Sequence, residues 1–134
     1  MIDVLLPGDA AGEVLMLAAP LSFWGGVDPA TGEIIDRRHP QAGAVVTGRM
    51  LVLPGGRGSS SAASVLAEAI RRGTAPAAIL LGERDEIIFL GALVAADLYG
   101  TVCPVVVVGE PLPGWLRTGV AAALRGGKLT SGPS

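Results

Sequence analysis

Apolar residues fall into four short runs that predict strands, at residues 13–18, 44–53, 77–81 and 102–108. The runs are aliphatic or β-branched and are bounded by glycine and proline, as strands usually are. Gly48 predicts a bend or bulge inside the second run. The β-branched fourth run is typical of a central or near-central strand.

Two stretches have helical spacing instead. Residues 59–72 begin with serines that can cap free N–H groups and end before Gly73, a favourable C-cap. Residues 83–98 predict a second helix that ends at Gly100. Apolar positions three and four apart predict these buried faces: Ala62, Val65, Leu66, Ala69 and Ile70 in the first helix, and Ile87, Leu90, Gly91, Val94 and Leu98 in the second.

Together the runs predict an α/β fold with the order β–loop–β–glycine loop–α–β–α–β–tail. A length of 134 residues favours one domain, 1–134, with the tail from about residue 110 the least defined part. Residues 119–129 fit either a short alanine-rich helix or two strands joined at Gly126-Gly127.

The chain has few charged residues, 16% against about a quarter in an average soluble domain. Either the alanine- and glycine-rich composition accounts for this, or part of the surface is buried against a partner. With a net charge of −2 and no basic stripe, nucleic acid is not an expected partner. No apolar run reaches the roughly 18 residues of a membrane span, and no basic segment precedes residues 14–23, so we expect a cytoplasmic protein.

Potential metal ligands are scarce. Cys103 is the single cysteine and His39 the single histidine, whereas a cluster or structural zinc site needs about four such ligands. Any cluster chemistry must therefore come from another chain. We expect Cys103 to be a small buried side chain, His39 an exposed or structural loop residue, and Asp28 a turn residue.

Residues 55–61 form a glycine-rich loop that leads into the first helix. A helix N-terminus offers unpaired N–H groups and partial positive charge, so this loop suits either an ordinary capped turn or a bound anion. It is not a P-loop, because it contains no lysine. Ser60 stands where a phosphohistidine swivelling domain would carry its histidine.

The sequence Gly-Arg-Gly-Ser-Ser at residues 56–60 resembles a segment of aconitase swivel domains whose first serine is the catalytic base. The resemblance assigns that role to Ser59. Ser61 stands where the aconitase pattern continues with arginine, so Arg57 becomes the candidate for the missing positive charge. A serine hydroxyl is a poor base in water and needs a local positive field, which the helix dipole, Arg57 or a partner residue could supply.

Further segments extend the resemblance to the small subunit of aconitase X: residues 20–29, residues 32–40, Glu86-Ile87 and residues 104–106. The match covers roughly residues 5–108. It implies an aconitase-like swivelling β/β/α domain, a strand hairpin for the tail, and a large aconitase-X-type subunit that holds an iron–sulfur cluster on its own cysteines.

The bacterial branch of this family implies dehydration of cis-3-hydroxy-L-proline to Δ1-pyrroline-2-carboxylate, and the archaeal branch implies dehydration of mevalonate 5-phosphate. Phe23-Trp24 and residues 34–40 are more similar to the bacterial branch. The predicted site therefore contains Ser59 as base and a substrate-binding set of Arg57, Gly58, Ser60, Phe23 and Trp24, with the two aromatic residues lining the site or covering the subunit joint. Two rival hypotheses are a free-standing module that binds a small anion and a structural subunit that only closes another protein's active site.

Overall fold

The computed structural model describes residues 2–54 and 60–132, which contain seven strands and three helices. In chain order they are β1 (Asp3–Leu6), β2 (Ala10–Met16), α1 (Phe23–Gly26), β3 (Met50–Leu53), α2 (Ser60–Arg72), β4 (Ala78–Leu81), α3 (Glu86–Tyr99), β5 (Val105–Val107), β6 (Ala121–Arg125) and β7 (Lys128–Ser131).

The strands form one sheet in the order β1-β5-β4-β3-β2-β6-β7. β2, β3, β4 and β5 run parallel to one another, whereas β1, β6 and β7 pair antiparallel to their neighbours. The predicted α/β fold is therefore confirmed. Because the four parallel strands point the same way, the loops that follow them emerge at one edge of the sheet, which is called the carboxyl edge below.

Both faces of the sheet are covered, which explains why the central strands are apolar throughout. Every residue of β3 and β4 is buried, as in a parallel sheet packed on both sides. One core contains residues of α2, α3 and the long excursion between β2 and β3, residues 17–49. The other core packs Leu116, Leu124 and neighbouring residues against the opposite face.

The sheet curls until its two ends approach each other. A Cβ atom on Gly127 would lie 3.5 Å from the side chain of Val4 on the opposite end of the sheet. The result is a half-barrel with helices on its outer face.

The α2 prediction is confirmed over the described residues, and Gly73 ends the helix with a φ of 79°. α3 begins three residues later than predicted because Asp85 caps it. The Asp85 carboxylate accepts hydrogen bonds from the N–H groups of Ile87 and Ile88, at 2.9 and 3.2 Å.

The predicted buried face of α3 is confirmed at Gly91 and in part at Ile87, which is half-buried and packs against the core, but it is wrong at Leu90, Val94 and Leu98, which are exposed. Its buried residues are Ile88, Gly91, Ala92 and Ala95. Small residues face α2 because the two helices approach closely: a Cβ on Gly91 would lie 2.7 Å from the carbonyl oxygen of Ala63. The larger apolar side chains therefore point outward and form an exposed apolar face of α3, made of Leu90, Leu93, Val94, Leu98 and Tyr99.

The strand predictions are right in position but not in length: β2 begins three residues earlier than predicted and ends two residues earlier, whereas β3, β4 and β5 are shorter than predicted. Of residues 44–53 only Met50–Leu53 form β3, because Gly48 makes a turn with a φ of 71°. The short edge strand β1 was not predicted. In the tail, β6 and β7 form a hairpin around Gly126-Gly127, so the strand alternative that the resemblance favoured is confirmed.

The excursion between β2 and β3 depends on a close approach at Gly32. Its φ is 78°, and a Cβ there would lie 2.1 Å from Thr47 Oγ1 and 2.8 Å from the Thr74 carbonyl oxygen. Gly48 has a similar φ of 71° but open space around it.

We expect Gly32→Ala to lower the free energy of unfolding by roughly 1–3 kcal/mol more than Gly48→Ala, because only Gly32 adds steric overlap to backbone strain. Urea unfolding of both variants measures the difference, and equal losses would contradict the close approach.

No helix in the described part of the chain is long and apolar enough to cross a membrane.

Candidate active site

The predicted base, Ser59, belongs to the segment of the sequence between β3 and α2. Pro54 is the last described residue before this segment, and Ser60 is the first residue of α2. Ser59, Arg57 and Gly58 fall outside the described residues, and only the backbone of Ser60 is described. The described elements on either side are a strand, β3, and a helix, α2, and a helix N-terminus after a strand is a common place for anion binding.

A loop at the carboxyl edge follows β2 and is held by His39 and Gln41. The His39 ring is only 6% exposed. Its Nε2 lies 2.9 Å from the Ala19 carbonyl oxygen, and its Nδ1 accepts a hydrogen bond from the Gln41 N–H at 3.0 Å. These partners fit a neutral ring protonated on Nε2. The Gln41 side chain bonds the backbone of Met16 and Ala18.

His39 and Gln41 thus fix the chain where it leaves β2. Of the two roles expected for His39, exposed or structural, the structure shows the structural one. A small polar cavity of about 190 Å³ lies beside His39 and is lined by Ala19, Pro20, Asp36, Arg38, His39 and Pro40.

The two aromatic residues at the start of the excursion have different environments. Phe23 is fully buried in the core that also contains Leu66 and Ile70. The expectation that Phe23 lines the site or the joint is therefore corrected: its ring packs inside the domain, because α1 lies against α2. Trp24 is 62% exposed and remains available for a ligand or a partner.

Sequence reasoning missed Glu110, which follows β5 at the same edge. The Gly82 N–H donates to the Leu53 carbonyl oxygen at 2.9 Å, which holds the loops after β3 and β4 together. A Cβ on Gly82 would lie 2.6 Å from Glu110 Oε1 and 2.8 Å from the Pro54 carbonyl oxygen. The Glu110 carboxylate therefore lies beside the residue at which the glycine loop begins. The sequence signal that could have identified Glu110 was a carboxylate placed shortly after a predicted parallel strand.

The comparisons with known proteins decide the family. The family model of the aconitase X swivel domain matches residues 2–130. The chain belongs to this family. The fold of the swivel domain also matches the crystal structure of Thermococcus kodakaraensis aconitase X in its holo-form, with a TM-score of 0.83 and 32% identity over 96% of this chain and 94% of that one.

Two curated relatives carry different enzyme names. The swivel domain is 55% identical over 106 residues to a cis-3-hydroxy-L-proline dehydratase of Pseudomonas aeruginosa, which covers 79% of this chain but 18% of the relative. It is 50% identical over 93 residues to the phosphomevalonate dehydratase small subunit of Methanopyrus kandleri, covering 69% of this chain and 67% of that one. The chain thus spans less than a fifth of the hydroxyproline dehydratase.

The described residues of the swivel domain do not fit an iron–sulfur cluster. No group of three or more His, Cys, Asp or Glu side chains that could hold a metal ion occurs within residues 2–54 and 60–132. Cys103 is 3% exposed, its Sγ donates to the Pro76 carbonyl oxygen at 3.4 Å, and burial raises the pKa of its thiol to about 12. A protonated, buried thiol is neither a nucleophile nor a ready metal ligand. Cys103 is therefore the small buried side chain that the sequence predicted.

Proposed function

We propose that this chain is the small subunit of an aconitase-X-type hydro-lyase, which with a large subunit dehydrates cis-3-hydroxy-L-proline to Δ1-pyrroline-2-carboxylate. The observation that carries the proposal is the 55% identity to the Pseudomonas aeruginosa cis-3-hydroxy-L-proline dehydratase over 79% of the chain. Because the chain corresponds to only 18% of that relative, the remaining part of the active site must lie on another polypeptide or segment.

The large subunit would hold the iron–sulfur cluster that aconitase-type dehydratases use. Three observations support this division. The Methanopyrus kandleri relative is named a small subunit. The described residues of this chain lack a cluster-binding group. The exposed apolar face of α3 and the charged fraction of 16% fit a chain that buries surface against a partner.

Within this complex, Ser59 would act as the base. Its ionised hydroxyl takes the proton from C2 of the substrate, next to the carboxylate, and the electron pair forms the C2–C3 double bond. The C3–O bond breaks, and the leaving hydroxide is protonated to water. The resulting enamine becomes Δ1-pyrroline-2-carboxylate when a proton moves from nitrogen to C3. The helix dipole of α2, which begins at the next residue, favours negative charge on the Ser59 oxygen.

The test is an assay of the complex obtained by co-expressing this chain with the large subunit. We expect turnover of cis-3-hydroxy-L-proline, followed as Δ1-pyrroline-2-carboxylate formation, and none of mevalonate 5-phosphate. Wild-type complex that dehydrates only the phosphorylated substrate would reverse the assignment.

The phosphomevalonate alternative is supported by one specific observation. The match covers 67% of the Methanopyrus kandleri small subunit but only 18% of the hydroxyproline dehydratase. The higher identity to the hydroxyproline enzyme, 55% against 50%, favours the hydroxyproline substrate.

A further inference from the structure

A groove lies between β1 and β7, the two edge strands of the curled sheet. β1 is antiparallel to β5, so the start of β1 lies at the carboxyl edge. β7 is antiparallel to β6, which is itself antiparallel to β2, so the end of β7 lies at the carboxyl edge as well. The first and the last strand of the domain therefore meet the carboxyl edge on either side of the same groove.

A cavity of about 460 Å³ lies in this groove, a volume within the range of ligand pockets. Its apolar lining residues pack against the core that contains Leu116 and Leu124 but are only partly buried: Ile2, Val108, Trp115 and Leu129. Among the described residues, Lys128 is the only charged one that lines the cavity. The cavity thus offers an apolar floor and one positive charge to whatever occupies it.

The outer edge of β7 is open within the described part of the chain, since β7 is the last strand of the sheet. The Gly132 N–H donates to the Ala121 carbonyl oxygen at 2.8 Å, which marks a hydrogen-bonded pair of the β6–β7 hairpin. Hydrogen-bonded and non-hydrogen-bonded pairs alternate in an antiparallel hairpin, so the main-chain groups of Leu129 and Ser131 point away from β6. They form an edge with which a further strand can pair.

The Pseudomonas aeruginosa relative indicates which polypeptide passes this groove. The match is 18% of that relative, so most of its polypeptide lies outside the matched segment. A chain that enters the swivel domain at β1 or leaves it after β7 does so at the carboxyl edge, beside the groove. Where the enzyme is divided into two subunits, the corresponding end of the large subunit starts from the same place.

We propose that an extended terminal segment of the large subunit occupies this groove and pairs with the open edge of β7. This inference rests on the proposed function. The segment places apolar side chains against Trp115 and Leu129 and a carboxylate beside Lys128. In such an arrangement main-chain hydrogen bonds supply affinity, and alternate side chains in the cavity supply specificity.

The first experiment titrates the full chain with the separately purified large subunit in a calorimeter. We expect Leu129→Ser to raise the Kd of the complex by roughly tenfold or more, as the loss of a buried apolar anchor does. Val102→Ser is the matched control, because Val102 is an exposed apolar residue that precedes β5, at the opposite edge of the sheet. Its Kd should equal that of the wild type.

A second measurement does not depend on the stability of the Leu129→Ser chain. Cys103 is buried, and burial raises the pKa of its thiol to about 12, so Ser131→Cys gives this chain a single reactive thiol at an exposed position. We expect complex formation to slow alkylation of that thiol by roughly tenfold or more, because it then reacts only after dissociation or local opening. Thr101→Cys, exposed at the opposite edge, is the control and should react at an unchanged rate.

A folded Leu129→Ser chain with an unchanged Kd, or an unprotected Ser131→Cys thiol in the complex, would overturn the inference. Equal effects at the two control positions would do the same, since they would indicate a change outside the groove. Protection of Ser131→Cys in the chain alone, rising with its own concentration, would assign the groove to a second copy of this chain. If wild-type chain and large subunit do not associate, the proposed function fails and the inference with it; an active wild-type complex with an unprotected thiol refutes only the inference.

Discussion

Purified without its partner, this chain should dehydrate neither cis-3-hydroxy-L-proline nor mevalonate 5-phosphate and should show no visible-region iron–sulfur absorbance. The described residues contain no group of side chains that could hold a metal, and the Cys103 thiol is buried with its pKa raised to about 12. Sequence outside the described segments adds no further cysteine or histidine, since Cys103 and His39 are the only ones in the chain. A cluster needs about four thiolate or imidazole ligands, so this chain alone cannot supply them.

The measurement compares the isolated chain with the co-expressed complex after anaerobic reconstitution with iron and sulfide. Activity and absorbance should appear together and only in the complex. A Cys103→Ala chain is the matched control: because the buried thiol has no proposed role in the cluster, the variant complex should retain both signals. Dehydratase activity from the isolated wild-type chain would contradict the proposal that the large subunit holds the cluster.

The predictions of helix ends and of a turn were correct, because there a single residue determines the backbone conformation. Gly73 and Gly100 end the two long helices with φ values of 79° and 69°, in the left-handed region that glycine adopts easily. Asp28 forms the expected turn, in which its carboxylate accepts from the Ala30 N–H at 2.9 Å. These signals lie within a few residues of one another, so they can be read without knowledge of the fold.

The sequence predictions were wrong where packing between segments that are distant in sequence determines which residues are buried. The α3 face was predicted from apolar residues spaced three and four apart, but the contact between Gly91 and Ala63 brings two helices so close that only small residues fit between them. Phe23 was placed at the site because it lies in a turn-rich segment, yet α1 folds back on α2 and buries the ring. Neither contact has a signature in the residues nearby in sequence.

Only part of the candidate site was predicted from the sequence, because contacts between distant segments leave no local pattern. The glycine loop is a local pattern, and its flanking elements, β3 and α2, have the expected order. Glu110 is 51 positions from Ser59 in sequence. Its place beside Pro54 follows only from the parallel pairing of β3, β4 and β5, which aligns the ends of these strands at one edge.

Ser59→Ala should lower kcat of the complex by about 10²-fold or more, the usual scale for losing a positioned general base. KM should change little, because the hydroxyl contributes mainly in the transition state. In the sequence the residue stands between the end of β3 at Leu53 and the start of α2 at Ser60, and the N–H groups and dipole of a helix N-terminus favour negative charge nearby. Loss of a serine near a helix N-terminus costs only about 1 kcal/mol of stability, so the domain should still fold and bind its partner.

Ser61→Ala is the matched control, because Ser61 is exposed in the first turn of α2 and has no proposed contact with the reacting atoms. Steady-state kinetics of the two variant complexes, with cluster absorbance to confirm assembly, separate the proposed base from the capping serines. A Ser59→Ala complex with near-normal kcat would remove the catalytic role from this chain. Its function would then be that of a structural subunit that closes the active site of the large subunit, and the base would have to be sought on that partner.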